Sequence, residues 1–279
     1  MPAKPIVAAT DGSEHSLQAV EWAAAEAVLH GATLRIVSAA ETLPRMSAGP
    51  SGEDVENVTD VLHDHRDKGL AAAADRAAAA APGLQVDTWV LKGAPADAVA
   101  DSGSGALMLV VGSRGAGAFT ALVFGSVSRY ASSHAPCPVV VVRDAPPSAQ
   151  QHVAVGVGDL DTCADALTFA FEEAALRNAS LTVIHAWDAP RGGSSRAAEE
   201  AAKQLGGLLD SWRSNYPDVT VSQDVVHGHP ARALVGLSAR ADLVVIGRHA
   251  AHAGRPGPGA VRHAVLNHAH GPVVTVPSA

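Results

Sequence analysis

The sequence carries little that would tie it to a membrane, to nucleic acid or to an oxidising compartment. None of its uncharged apolar runs reaches the roughly eighteen residues that a membrane-spanning helix needs. The start, MPAKPIVAATDGS, has no apolar core followed by a small-residue cleavage site, so neither insertion nor export is expected. Cysteine is scarce. Cys137 and Cys163 stand far apart in the chain, which suits two small buried thiols in a reducing compartment and predicts no disulfide. Lysine occurs only at Lys4, Lys68, Lys92 and Lys203, and the net charge of -8 leaves no basic face to track a phosphate backbone. The expected setting is the cytoplasm, with no nucleic-acid and no membrane partner.

Apolar and small residues are plentiful by contrast. Hydrophobic residues make up 47% of the 279 and charged residues 17%, which is material for one large domain or two of ordinary size. An internal repeat decides for two. VAATDGSEHSLQAVEWAAAEAVLHGATLRIVSA (Val7 to Ala39) aligns without a gap on AVGVGDLDTCADALTFAFEEAALRNASLTVIHA (Ala154 to Ala186). Further on, VLKGAPADAV answers VVHGHPARAL, LMLVVGSR answers DLVVIGRH, and SSHAPCPVVVV answers LNHAHGPVVTV. The seam, RDAPPSAQQH (Arg143 to His152), is polar and proline-rich and reads as a linker. The expected domains are residues 1–145 and 151–279.

Within the first half, short β-branched runs (Ile6–Thr10, Leu34–Ala39, Gln85–Leu91, Leu107–Gly112, Val139–Arg143) alternate with helical segments. The runs are continuously apolar, which predicts a parallel sheet covered on both faces and joined by right-handed crossovers. Asp11 to His30 reads as a helix capped by Ser13 or Ser16 and closed by Gly31. Asp60 to Ala81 reads as a second, ended by Pro82-Gly83. Glu41 to Asn57 is expected to be irregular and mobile, being rich in Pro, Gly and Ser.

In an open parallel sheet, ligands bind beyond the carboxyl ends of strands whose connections diverge to opposite faces. Two turns occupy such ends: Thr10-Asp11-Gly12-Ser13 and Gly112-Ser113-Arg114-Gly115. A third, Gly125-Ser126-Val127-Ser128, opens a helix running to about His134, whose free N–H groups and dipole favour an anion. Glycine at Gly112, Gly115 and Gly125 is expected to let the main chain approach an oxyanion and take positive φ, while the hydroxyls of Ser113, Ser126 and Ser128 add donors. Asp11 would repel a polyphosphate at short range, so it is expected to face a ribose or an adenine amine. Donors on one side and an acid on the other suggest a nucleotide. The alternative is that Asp11 only caps the following helix and the glycines only make turns.

The spacing Gly112-x2-Gly115-x9-Gly125-Ser126, set between a strand and HAPCPVVVV, resembles the ATP-binding signature of the universal stress protein family. TDGSEHS resembles that family's first turn, with its nucleotide-contacting Asp. The resemblance implies an α/β fold of two tandem Rossmann-like domains of the adenine nucleotide alpha hydrolase-like kind. Each would hold a five-stranded parallel sheet of order 3-2-1-4-5 with helices on both faces. It implies ATP as ligand, with Mg2+ as its companion. Ala9, Thr10 and Ala39 would line the base pocket, Asp11 would stand near ribose and adenine, and Gly112, Ser113, Arg114, Gly115, Gly125, Ser126 and Val127 would surround the phosphates. It further implies pairing through the last strands, Val139–Val142 and Val273–Val276, with the halves as an intrachain pseudo-dimer and whole chains as a homodimer. A protein partner would read the ligand-bound state.

The second half departs from this pattern. Its counterpart site would draw on Gly156, Gly158, Asp159, Gly247, Arg248, Gly259, Ala260 and Val261. Gly158 stands where Asp11 stood, Ala260 replaces Ser126, and Pro256 and Pro258 remove amide donors, leaving Arg248, Arg255 and Arg262 as sources of positive charge. His249, His252, His263, His268 and His270 lack Cys or acidic ligands at metal-binding spacing, so no metal site is expected. Ser13, His15 and Ser16 are too close on one helix start to form a hydrolase triad. The phosphate turn lacks a Walker-type Lys-Ser/Thr. A non-catalytic, nucleotide-responsive regulator is therefore expected; the alternatives are a slow ATPase or nucleotidyl transferase, and a nucleotide-free scaffold.

Overall fold

The computed structural model describes residues 4–39, 52–115, 124–143, 150–158, 160–187, 195–227, 230–248 and 258–278. The chain divides into two compact units, Met1–Val142 and Arg143–Ala279. Cys137 and Cys163 are free and buried.

The first unit runs β1 (Ile6–Ala9), α1 (Glu14–Leu29), β2 (Leu34–Ala39), α2 (Gly52–Ala80), β3 (Val86–Leu91), α3 (Pro95–Asp101), β4 (Met108–Gly112), α4 (Ser126–His134) and β5 (Val139–Val142). Its sheet has the order β3-β2-β1-β4-β5, and each neighbouring pair is parallel. Every residue of β1 and β4 is buried. That explains their unbroken apolar sequences: with helices on both faces, no position of a central strand meets water. α1 and α2 pack as one layer, α3 and α4 as the other. The expected order and layering are those observed.

The second unit repeats the series as β6 (His152–Val157), α5 (Ala164–Leu176), β7 (Ser180–Trp187), α6 (Ser195–Asn215), β8 (Val221–His227), α7 (Pro230–Ser238), β9 (Leu243–Arg248), α8 (Pro258–His268) and β10 (Val273–Pro277). Its strand order, β8-β7-β6-β9-β10, is again parallel throughout.

Helix boundaries follow local chemistry. α1 begins after Ser13, whose side chain accepts from Ser16 N–H, and ends at His30, beyond which Gly31 turns the chain at φ +59°. α2 corrects the expectation of an irregular segment up to Asn57, because Gly52–Asn57 belong to the helix. Residues 40–51 lie outside the described residues. α2 crosses the β1–α1 turn at two glycines, where a Cβ on Gly69 would stand 3.2 Å from Gly12 Cα. Gly12 itself takes φ +81°, a conformation that costs other residues energy.

One packing exchange links the repeats. Where the first unit has Ala9 and Val99, the second has Gly156 and Leu234. A Cβ on Gly156 would lie 2.7 Å from Leu234 Cδ1, and Leu234 is 1% exposed. The exchange shifts one methyl from strand to helix at constant volume. Gly156→Ala is expected to destabilise the protein by about 1–3 kcal/mol through overpacking. Adding Leu234→Val should restore most of that loss, because the pair then matches Ala9 and Val99. Urea denaturation of both single variants and the double checks this; additive losses would sink it.

Candidate functional site

β1 and β4 lie side by side in parallel register, Ile6 to Ala8 against Met108 to Val110. The chain leaves β1 toward the α1 layer and β4 toward the α4 layer, so a crevice opens beyond their carboxyl ends. This is the point at which Asp11 and Gly112 are expected to meet.

The turn after β1 is a hydrogen-bonded knot. Ser16 Oγ donates its proton to the Ser13 carbonyl at 2.8 Å. Thr10 Oγ1, 2.9 Å away, is therefore the donor to Ser16 Oγ, and it accepts from Gly12 N–H at 3.1 Å. Asp11 Oδ1 accepts from both the N–H (3.0 Å) and the hydroxyl (2.6 Å) of Ser13. The helix cap is thus Ser13, and Asp11 holds the capping residue in place, which removes the reading of Asp11 as a cap. A Cβ on Gly115 would stand 2.5 Å from Asp11 Oδ2. The acid and the glycine turn therefore adjoin, a correction to the expectation that they occupy opposite sides.

The glycine turns are built for close approach. None of Gly112, Gly115 and Gly125 has positive φ, contrary to expectation; Gly125 sits at φ -58°, ψ 142°. A Cβ on Gly112 would stand 2.8 Å from the His15 carbonyl oxygen and 3.1 Å from Ser16 N, so its bareness admits the first turn of α1. The Ser113 carbonyl accepts from Gly125 N–H at 3.0 Å, and Ser113 N–H donates to the Val142 carbonyl at 2.8 Å. These bonds join the two glycine turns to the end of β5. Ser128, expected to offer its hydroxyl to phosphate, donates instead to the Gly112 carbonyl at 2.6 Å. Its role is to fix α4 on β4.

Three donors stay unused at the start of α4. Gly125 provides no side-chain cap, and the first internal bond joins Arg129 N–H to the Gly125 carbonyl at 2.9 Å. The N–H groups of Ser126, Val127 and Ser128 precede it and have no intrahelical acceptor. Nearby, Ser113 is 2% exposed and its hydroxyl has no hydrogen-bond partner; Arg114 Nε is likewise buried and unpaired. Such an excess of buried donors over acceptors calls for an anion or ordered water.

Arg114 and the start of α4 border a cleft of about 640 Å³. Ala9, Thr10, Asp11 and Ala39, from the ends of β1 and β2, line it together with Gly112, Arg114, Gly115, Gly125, Ser126, Val127 and Ser128, from the end of β4 and the start of α4. Of the expected residues of this half, only Ser113 is not on the wall. The structure adds Ser16, Pro95, Val99, Val111, Phe124 and Arg129. Pro95 and Val99 stand one turn apart on α3; their spacing is the signal the sequence offers, although it cannot say what they cover.

The second unit assembles less. Gly156 makes room for Leu234, Gly158 brings no carboxylate, and Asp159 lies outside the described residues. The polar knot is reduced: Val157 and Cys163 replace Thr10 and Ser16, and Cys163 Sγ donates to the Leu160 carbonyl at 3.3 Å. Gly247 and Arg248 end β9, while Gly259, Ala260 and Val261 occupy the first turns of α8 behind Pro258, which has no N–H. Arg262 in α8 is half-buried, and desolvation lowers its pKa.

The sequence model of the universal stress protein family matches residues 2–143 and 150–277, so the chain belongs to that family, with two tandem copies of its domain. It is 33% identical to a universal stress protein of Mycobacterium bovis over 96% of this chain and 93% of that one. A universal stress protein of Mycobacterium tuberculosis is 34% identical over 96% and 95%. The crystal structure of a universal stress protein from Archaeoglobus fulgidus shares the fold, with a TM-score of 0.73, 18% identity and coverage of 99% of this chain and 97% of that one. No helix among the described residues is long and apolar enough to cross a membrane.

Proposed function

We propose that the first unit binds ATP in the cleft beyond β1 and β4, and that the protein acts in the cytoplasm as a nucleotide-responsive regulator without efficient turnover. The observation carrying this reading is the set of free amides of Ser126, Val127 and Ser128 on the wall of the cleft that Asp11 also lines. A helix start attracts anions by about 0.3–1 kcal/mol per charge, up to about 2 when partly buried. The residues fit a nucleotide on their own chemistry. Arg114 on the wall, its Nε unpaired, adds a donor at the phosphate end, and the volume falls in the range of small-ligand pockets.

In this reading Ala9, Thr10 and Ala39 bound the base, Asp11 accepts from the ribose or accompanies Mg2+, and the glycine turns with α4 hold the phosphates. Among the described lining residues Asp11 is the sole carboxylate, with no lysine and no histidine, which supports binding over chemistry. Whole chains pair, and a protein partner reads the ligand-bound surface.

Asp11→Ala and Gly115→Ala test the site by calorimetric titration with ATP. The first removes the acid, and the second puts a methyl 2.5 Å from its Oδ2. Each is expected to weaken binding about tenfold or more, the value of one charged hydrogen bond. Wild-type affinity in both variants removes the assignment.

A further inference from the structure

The cleft holds one cation that repeat alignment and glycine spacing do not single out. Arg129 lies one turn into α4, directly behind the three free amides, and lines the cleft. It is exposed, and among the described residues no ion pair or hydrogen bond engages its guanidinium. The one acid among the described lining residues, Asp11, is already engaged, its Oδ1 accepting from Ser13.

We infer, building on the nucleotide reading above, that Arg129 binds the outer phosphates of the ligand and makes the cleft discriminate by phosphate number. The amides at the start of α4 can satisfy the oxygens nearest the ribose, but each further phosphate adds charge that a main-chain dipole offsets only in part. Among the described lining residues the cations are Arg114 and Arg129. Arg114 is recessed, with Nε buried, and serves the inner part of the turn. Arg129 stands at the exposed rim, where a polyphosphate extending past α4 would emerge. A planar guanidinium grips two phosphate oxygens at once, which an ammonium does not.

The test is calorimetric titration of wild type, Arg129→Gln and Arg129→Lys with ATP, ADP and AMP, in EDTA so that no divalent ion screens the phosphates. Wild type is expected to bind ATP more tightly than ADP and ADP more tightly than AMP. Arg129→Gln should lose about tenfold or more for ATP, and less than about twofold for AMP. Arg129→Lys should fall between, because it keeps the charge and loses the fork. Equal losses for all three nucleotides, or none for ATP, overturn the assignment of Arg129 and leave the ATP site standing. Failure of wild type to bind any of the three overturns both.

Discussion

Replacing Ser126 with proline is expected to lower ATP affinity about 10- to 100-fold, as loss of one or two charge-assisted hydrogen bonds should, while the protein remains folded. Ser126 is the first residue of α4, the position where proline is most at home, since its missing N–H has no helical acceptor to lose. Gly125 before it already has φ -58° and ψ 142°, the extended conformation that proline imposes on its predecessor. The substitution therefore removes a ligand donor without bending the helix. Ser126→Ala is the control, losing the hydroxyl and keeping the amide. If the proline and alanine variants bind ATP alike, the main-chain amide is not a donor. The second unit also begins its corresponding helix with a proline, Pro258, although the residue aligned with Ser126 is Ala260.

Gly112→Ala is expected to be the most damaging single methyl in the site, and damaging to stability first. The added carbon would lie 2.8 Å from the oxygen and 2.9 Å from the carbon of the His15 carbonyl. That main chain is held by the Ser13 cap and by the Ser16 hydroxyl, so it cannot slide away as a side-chain tip can. Overpacking of this kind costs about 1–3 kcal/mol, which corresponds to roughly 2–10 °C in Tm for a chain of this size. Gly115→Ala provides the contrast: its methyl meets only the end of the Asp11 side chain, so Tm should hold while ATP affinity falls. Thermal denaturation of the two variants separates these roles. A Gly112→Ala protein as stable as wild type would contradict the packing described.

The parts of this architecture governed by local pattern are legible in the sequence. β2 at Leu34–Ala39 and the start of α4 at Ser126 fall where β-branched runs and a glycine-serine pair put them, and the repeat exposes the duplicated topology. Asp11 and the glycine turns reach one cleft because strand order, once inferred, fixes which ends adjoin. What escapes depends on contacts distant in sequence. The need for glycine at Gly112 comes from His15, on an element that precedes it by two strands, so spacing alone suggested a backbone conformation that the residue does not adopt. Ser128 looks like a ligand donor until the Gly112 carbonyl is found 2.6 Å away. Pro95, Val99 and Arg129 carry no local mark of the cleft they line. At Gly52–Asn57, Pro, Gly and Ser earlier in the window obscured a run of acids suited to a helix start.

Amide chemical shifts from 15N–1H spectra, followed while ATP is titrated into wild-type protein, bear most directly on the central proposal. Saturable shifts centred on Ser126, Val127 and Gly112 to Gly115, with smaller ones at Thr10, Asp11 and Ala39, are the predicted result. A titration that leaves the amides at the start of α4 unmoved, whether or not ATP binds elsewhere, would contradict it.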